Sequence, residues 1–210
     1  TGQLGGGKKE MFIAQTEWAI SNRLQRNIPY VTQLGDISNN GDNPTYFFQW
    51  QNATNAMYRL ENPTRTQLQF GMPYGVAVGN HEISPIGNAA VGTTSNYNRF
   101  FGVSHFAGRS YYAGHYGTNN NNHYDFFSAS GMDFVVLYFE YNTNPPAQLL
   151  AWGNDILRTN ANRRGIVVTH NMGNTATPVV WSAQARAIYA ALKNNTNLFM
   201  ARCSRLLVRT

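Results

Sequence analysis

Apolar and polar positions along the chain alternate between two periods. From Glu10 to Asn27, Ile13, Ile20 and Leu24 recur at helical spacing, with Glu17 interrupting the stripe and Pro29 closing it. Tyr30 to Leu34 reads as a strand, Asp36 to Pro44 as a polar loop, and Thr45 to Leu60 as a helix with Phe48, Ala56 and Leu60 inward. After a loop that starts past Pro63, Tyr74 to Val78 is a second apolar strand. Ile83 to Ser95, rich in Gly, Ala and Thr, is predicted as loop, and Asn96 to Gly102 as a short helical turn. Three strands follow, at Ser110–Ala113, His123–Ala129 and Met132–Tyr141, the last two joined by a Ser130-Gly131 hairpin. Pro145 and Pro146 open a helix that runs to Thr159, Ile166 to Thr169 is a strand, Ser182 caps a helix to Lys193, and Leu198 to Met200 is a short strand. Strands alternating with helices around an antiparallel central run predict a layered α/β sandwich in one domain.

Three of the predicted strands end in chemistry. Tyr30–Leu34 runs into Gly35-Asp36, Tyr74–Val78 into Gly79-Asn80-His81-Glu82, and Ile166–Thr169 into His170. Sites in α/β sheets collect at the carboxyl ends of strands, and glycine there lets the backbone approach a ligand closely. Each motif alone is weak; three in succession are not. Asp36, Asn80 and His170 make a mixed oxygen and nitrogen donor set, which suits zinc, manganese or iron better than calcium.

Composition narrows this picture. Only 12% of the 210 residues are charged and Asn, Gly and Tyr are abundant, a bland polar surface common outside the cytoplasm. The net charge is +6, yet Arg202, Arg205 and Arg209 all fall in the last nine residues. The remainder is nearly balanced and carries no RNA- or DNA-binding motif, so a nucleic-acid partner is not expected. No apolar run approaches the roughly 20 residues needed to span a bilayer. The single Cys203 excludes an internal disulfide and a cysteine metal cluster. His105, His115 and His123 have no ligand-like spacing and read as packing residues among aromatics.

Leu34-Gly35-Asp36, Gly79-Asn80-His81-Glu82 and Thr169-His170 resemble the second, third and fourth sequence blocks of the calcineurin-like metallophosphoesterases. The resemblance covers most of the chain, including Phe134 to Trp152, and points to bacterial, secreted or periplasmic members. It implies an α/β/β/α sandwich and hydrolysis of phosphomonoesters or phosphodiesters at two divalent metals (manganese, iron or zinc). Asp36 would bridge the metals, Asn80 and His170 would bind the second, and His81 would protonate the leaving oxygen rather than bind metal. Apart from the resemblance, Asn39 and Asn40 follow the Gly35-Asp36 block and are candidates to contact phosphate, the alternative being an ordinary Asn-rich loop, and Glu82 is a candidate to orient the backbone or a neighbouring ligand.

The chain departs from the family pattern at both ends. The first block, an Asp followed two residues later by His, would lie ahead of Thr1. The last block, Gly-His-x-His, is replaced by Ala201-Arg202-Cys203-Ser204-Arg205 and the residues up to Thr210. The expectation is therefore a partial domain over residues 1–200 followed by an atypical Arg-rich tail, 201–210. It would lack the first strand and the C-terminal strands, with an open sheet edge beside Tyr30–Leu34. Such a chain would hold at most one metal and be impaired in catalysis. Its partner would be a phosphate-ester substrate, with no membrane and no obligate protein partner. The alternative is a non-catalytic remnant or binding module holding at most one weak metal.

Overall fold

A computed structural model describes residues 8–173 and 178–202. The Gly-rich lead-in before Lys8, Cys203 and the tail beyond it lie outside the described residues. The chain is mixed α/β: α1 (Lys9–Asn22), β1 (Val31–Gln33), α2 (Phe48–Met57), α3 (Pro63–Thr66), β2 (Tyr74–Val76), α4 (Ser95–Phe101), α5 (Val103–Phe106), β3 (Tyr112–His115), β4 (His123–Ala129), β5 (Met132–Phe139), α6 (Ala147–Thr159), β6 (Arg164–Thr169), α7 (Ala183–Leu192) and β7 (Leu198–Arg202). β1 and β2 pair in parallel as one small sheet. The other five strands form a mixed sheet in sequence order, antiparallel from β3 to β5 and parallel from β5 to β7.

Side-chain alternation along the strands explains how these elements stack. Val135, Leu137 and Phe139 of β5 point to one face and pack with Leu149 and Leu157 of α6 and Ile188 and Leu192 of α7. Their neighbours Val136 and Tyr138 point the other way and meet Ala77, Val168 and the partly buried Tyr30 and Leu34 between the two sheets. Tyr74, Val76 and Val78 face outward again and pack under Trp50, Ala53 and Met57 of α2, Ile20 of α1 and Tyr97 and Phe101 of α4. Each inner strand thus buries both faces, one against helices and one against the opposing sheet. Gly75 lies on the inter-sheet face, where a Cβ would come 2.5 Å from the rim of Tyr138 and the Tyr30 hydroxyl. Only glycine lets the sheets approach there.

The predicted elements appear with shifted ends. α1 stops at Asn22, and Leu24 is 68% exposed rather than on the buried face; Thr16, Ala19 and Ile20 make the contact. Glu17, which seemed to interrupt that face, instead pairs with Arg59 at 2.7 Å and with Arg65. The helix predicted over Thr45–Leu60 is broken into 3₁₀ turns at both ends, and Phe48 is 47% exposed while Ala56 and Leu60 are buried. Ser130 and Gly131 both take positive φ, 52° and 75°, as a tight hairpin requires. Ser182 accepts the N–H of Ala185 at 3.0 Å and caps α7. β1 pairs with β2 along one edge and, among the described residues, with no strand along the other. No helix among the described residues is long and apolar enough to cross a membrane.

Candidate metal-binding site at the strand ends

The loops after β1, β2 and β6 meet at one end of the two sheets. Asp36 follows β1 in left-handed backbone, φ 56°, directly after Gly35 at φ 91°. This double left-handed turn points the Asp36 carboxylate back across the strand ends. Its Oδ2 lies 3.0 Å from Nε2 of His170, the first residue past β6, and its Oδ1 accepts the backbone N–H of His81 at 3.2 Å. Two glycines make room for this. A Cβ on Gly35 would stand 2.7 Å from His170 Nδ1, and one on Gly79 would overlap Asp36 Oδ1.

Glu82 ties the two loops together. It is fully buried, its Oε2 accepts the backbone N–H groups of Asp36 (2.8 Å) and Gly79 (2.7 Å), and its Oε1 accepts that of Ser38 (2.9 Å). Burial, and then the nearby Asp36 charge, push the Glu82 carboxyl up to about 7 against the pull of these three donors. Asn80 opens the short 3₁₀ turn that carries His81 and Glu82; it is buried, and its carbonyl accepts the Gly87 N–H at 2.9 Å.

The histidines are oriented by backbone carbonyls. His170 Nδ1 lies 3.0 Å from the Leu34 carbonyl, and His81 Nδ1 lies 2.9 Å from the Asn39 carbonyl. A carbonyl only accepts, so both Nδ1 atoms carry hydrogen and Nε2 is the functional atom of each ring. Burial opposes a charge on His170, but the hydrogen bond and charge of Asp36 outweigh it and raise its pKa above the ordinary imidazole value. Burial likewise pushes Asp36 up, but the hydrogen bond and charge of His170, with the backbone N–H and charge of His81, together outweigh it and leave Asp36 below the usual carboxylate range. The pair is an ion-pair contact between a carboxylate and an imidazole whose far nitrogen bonds a carbonyl. Both groups are of types that ligate divalent cations, and a backbone carbonyl on the second nitrogen is a support that metal-ligating imidazoles commonly have.

Asp36, His81, Glu82 and His170 therefore converge, all from strand ends, and Asn80 precedes His81 in the same turn. Asn39 enters through its carbonyl, while its side chain bonds Asn40 Oδ1 at 3.2 Å. Among the described residues no three His, Cys, Asp or Glu side chains cluster as metal ligands. Tyr141 was missed from sequence. Its ring lies 6.4 Å from that of His170, a Cβ on Gly87 would be 3.7 Å from both Tyr141 and Asn80, and its N–H bonds the Val78 carbonyl at 2.8 Å. Its position just past the end of β5 is the same signal that pointed to the other residues.

No family model matches the chain. Over 160 residues, 76% of its length, it is 33% identical to an uncharacterized protein of Bacillus subtilis (strain 168), YvnB. The chain spans 11% of the length of that relative.

Proposed function

We propose that this chain carries the phosphoester-hydrolysing site of a calcineurin-like metallophosphoesterase. The observation that supports the reading most is the direct facing of Asp36 Oδ2 and His170 Nε2 at 3.0 Å, with His81 bonded to the same carboxylate through its backbone. The stacking of helices, two sheets and helices agrees with the sandwich that the resemblance implies. Asp36, Asn80 and His170 would hold a divalent metal such as manganese, iron or zinc. A metal there supplies Lewis-acid polarisation of a phosphoryl oxygen and lowers the pKa of a bound water.

The protein's own residues supply orientation and a proton. Glu82 fixes the backbone of Asp36, so the carboxylate cannot swing away. Leu34 holds the ring of His170 so that Nε2 faces the site. His81, with Nδ1 donating to the Asn39 carbonyl, leaves Nε2 available, and in its doubly protonated form would give the Nε2 proton to a departing alkoxide and become neutral. Tyr141 and Gly87 wall the side nearest Asn80.

A second reading is favoured by one observation. Among the described residues the titratable ligands at the site number two, Asp36 and His170, enough for one metal and not for a pair. On that reading the chain is a binding module that holds one cation and phosphate without efficient turnover. Hydrolysis of 4-nitrophenyl phosphate and of bis(4-nitrophenyl) phosphate with added manganese separates the two. Turnover abolished by Asp36→Asn supports the phosphoesterase, whereas manganese binding without turnover supports the module. Neither binding nor turnover would refute both.

A further inference from the structure

A buried polar network holds one residue at the edge of the candidate site. Tyr141 is the second residue past β5, and its backbone is fixed from three directions. Gln184 of α7, fully buried, donates from Nε2 to the Glu140 carbonyl at 2.6 Å and accepts the Asn142 N–H on Oε1 at 3.1 Å. One amide thus grips the peptide groups on both sides of Tyr141. Asn122, also buried, accepts the Glu140 N–H at 3.0 Å and returns its NH₂ to Glu140 Oε1 at 2.9 Å. Asn121 donates to Glu140 Oε2 at 2.7 Å; its own oxygen accepts from Thr94 and Asn98, which decides which end of the amide faces Glu140. The Tyr141 N–H bonds the Val78 carbonyl at 2.8 Å and ties the segment to the strand end that runs into Gly79-Asn80-His81.

The side chain placed this way touches two parts of the site. Its ring centroid lies 6.4 Å from that of His170, whose Nε2 faces Asp36. On its other flank, a Cβ on Gly87 would be 3.7 Å from the Asn80 Cβ, 3.7 Å from the Tyr141 ring and 4.0 Å from the Tyr141 hydroxyl. The hydroxyl and Asn80 therefore stand side by side across that glycine, whose N–H is held by the Asn80 carbonyl at 2.9 Å. The hydroxyl itself bonds to no group among the described residues and is open to solvent. Three polar side chains from two distant segments thus fix the backbone of a residue whose own polar atom has no partner within the fold.

We infer that the Tyr141 hydroxyl is a hydrogen-bond donor to a non-bridging oxygen of the phosphoryl group that the site binds. A phenol O–H donates readily to an oxyanion, and a bond to a charged acceptor is about twice as strong as a neutral one. With its backbone braced and few torsions left to order, Tyr141 loses little freedom when it makes that bond, as a preorganised donor requires. The inference rests on the reading of this site as one that takes a phosphate ester, whether it turns the ester over or only binds it.

The test uses the whole chain loaded with zinc, and phenylphosphonate, whose P–C bond spares it from hydrolysis. Calorimetry is expected to show binding to the parent and binding about ten-fold or more weaker to Tyr141→Phe, the scale of one hydrogen bond to a charged group. Zinc affinity and the urea midpoint are expected to be the same in both, because the hydroxyl has no partner among the described residues to lose. With tyrosine isotope-labelled at Cζ, the NMR signal missing from Tyr141→Phe identifies this residue, and it is expected to shift when phenylphosphonate is added. Equal affinity in the parent and Tyr141→Phe, or a Cζ signal that does not move, overturns the inference. So does a loss confined to Tyr141→Leu, which would make the ring a wall and nothing more, and so does a loss of zinc affinity in Tyr141→Phe, which would put the hydroxyl on the metal. Failure of the underlying reading looks different: the parent itself then binds no phenylphosphonate and does not turn over 4-nitrophenyl phosphate, and both fall together.

Discussion

The carboxylate of Glu82 accepts the backbone N–H of Asp36 at 2.8 Å across 46 residues of sequence. With its bonds to Ser38 and Gly79, this single buried side chain holds two of the loops that make the site. Glu82→Ala leaves three buried N–H groups without an acceptor, at about 1–3 kcal/mol each. We expect a loss of at least about 3 kcal/mol in urea unfolding, and a smaller loss for Glu82→Gln, which keeps one acceptor oxygen. A Glu82→Ala variant as stable as the parent would show that the clamp does not hold the loops.

Metal binding should compete with the proton on His170. Because Asp36 raises the His170 pKa, the ring must lose a proton at or above the ordinary imidazole range before it can ligate. Manganese affinity, read by calorimetry, is therefore expected to rise with pH through about 6.5 and above. Asp36→Asn and His170→Ala should each weaken it by about ten-fold or more, as lost ligands do. His81→Ala should leave it unchanged. An affinity that is flat with pH, or one that His81→Ala destroys, contradicts the assigned ligand set.

If His81 gives a proton to the leaving oxygen, its loss matters most when that oxygen is basic. On the phosphoesterase reading, His81→Ala is expected to slow an alkyl phosphate by about 10²-fold or more and 4-nitrophenyl phosphate by much less. A uniform decrease across leaving groups would assign His81 to ground-state binding instead.

Acid stability has an identifiable contributor away from the site. His123 is 1% exposed, stacks on Tyr138 with ring centroids 4.3 Å apart and lies 2.9 Å by Nδ1 from the Asn120 carbonyl. Burial lowers its pKa to about 3. The unfolded chain binds a proton there below about 6.5 and the folded chain does not, so this contribution to stability is present above 6.5 and lost as pH falls toward 3. Glu82 acts with the opposite sign in an overlapping window, since its folded pKa of about 7 exceeds the unfolded 4.5. The comparison with His123→Phe cancels the Glu82 part. Between pH 6 and 4 the parent should lose stability more steeply than His123→Phe by about 1 kcal/mol per pH unit; parallel curves would mean that His123 charges without penalty.

Much of the site was legible because its residues are local to strand ends. Apolar runs that stop at Gly35-Asp36, Gly79-Asn80-His81-Glu82 and Thr169-His170 say where polar groups emerge from a sheet, and the structure brings all of these residues together. Tyr141, read from sequence only as the last residue of a strand, carries the same signal past the end of β5. Helix faces were less legible. Glu17 counted as an interruption of α1 until its partners Arg59 and Arg65 were known, and those lie 42 and 48 residues away.

The sequence by itself determined the order of the main strands and longer helices and the hairpin at Ser130-Gly131, since side-chain period and turn chemistry act over a few residues; the short helices Pro63–Thr66 and Val103–Phe106 were not read from it. Tertiary structure alone decided what each donor does. Whether Glu82 faces a ligand or three backbone N–H groups, and whether His170 Nε2 points at Asp36, depend on atoms brought from distant segments. A hydrogen bond is set by distances of about 3 Å and by direction, and no local pattern encodes those.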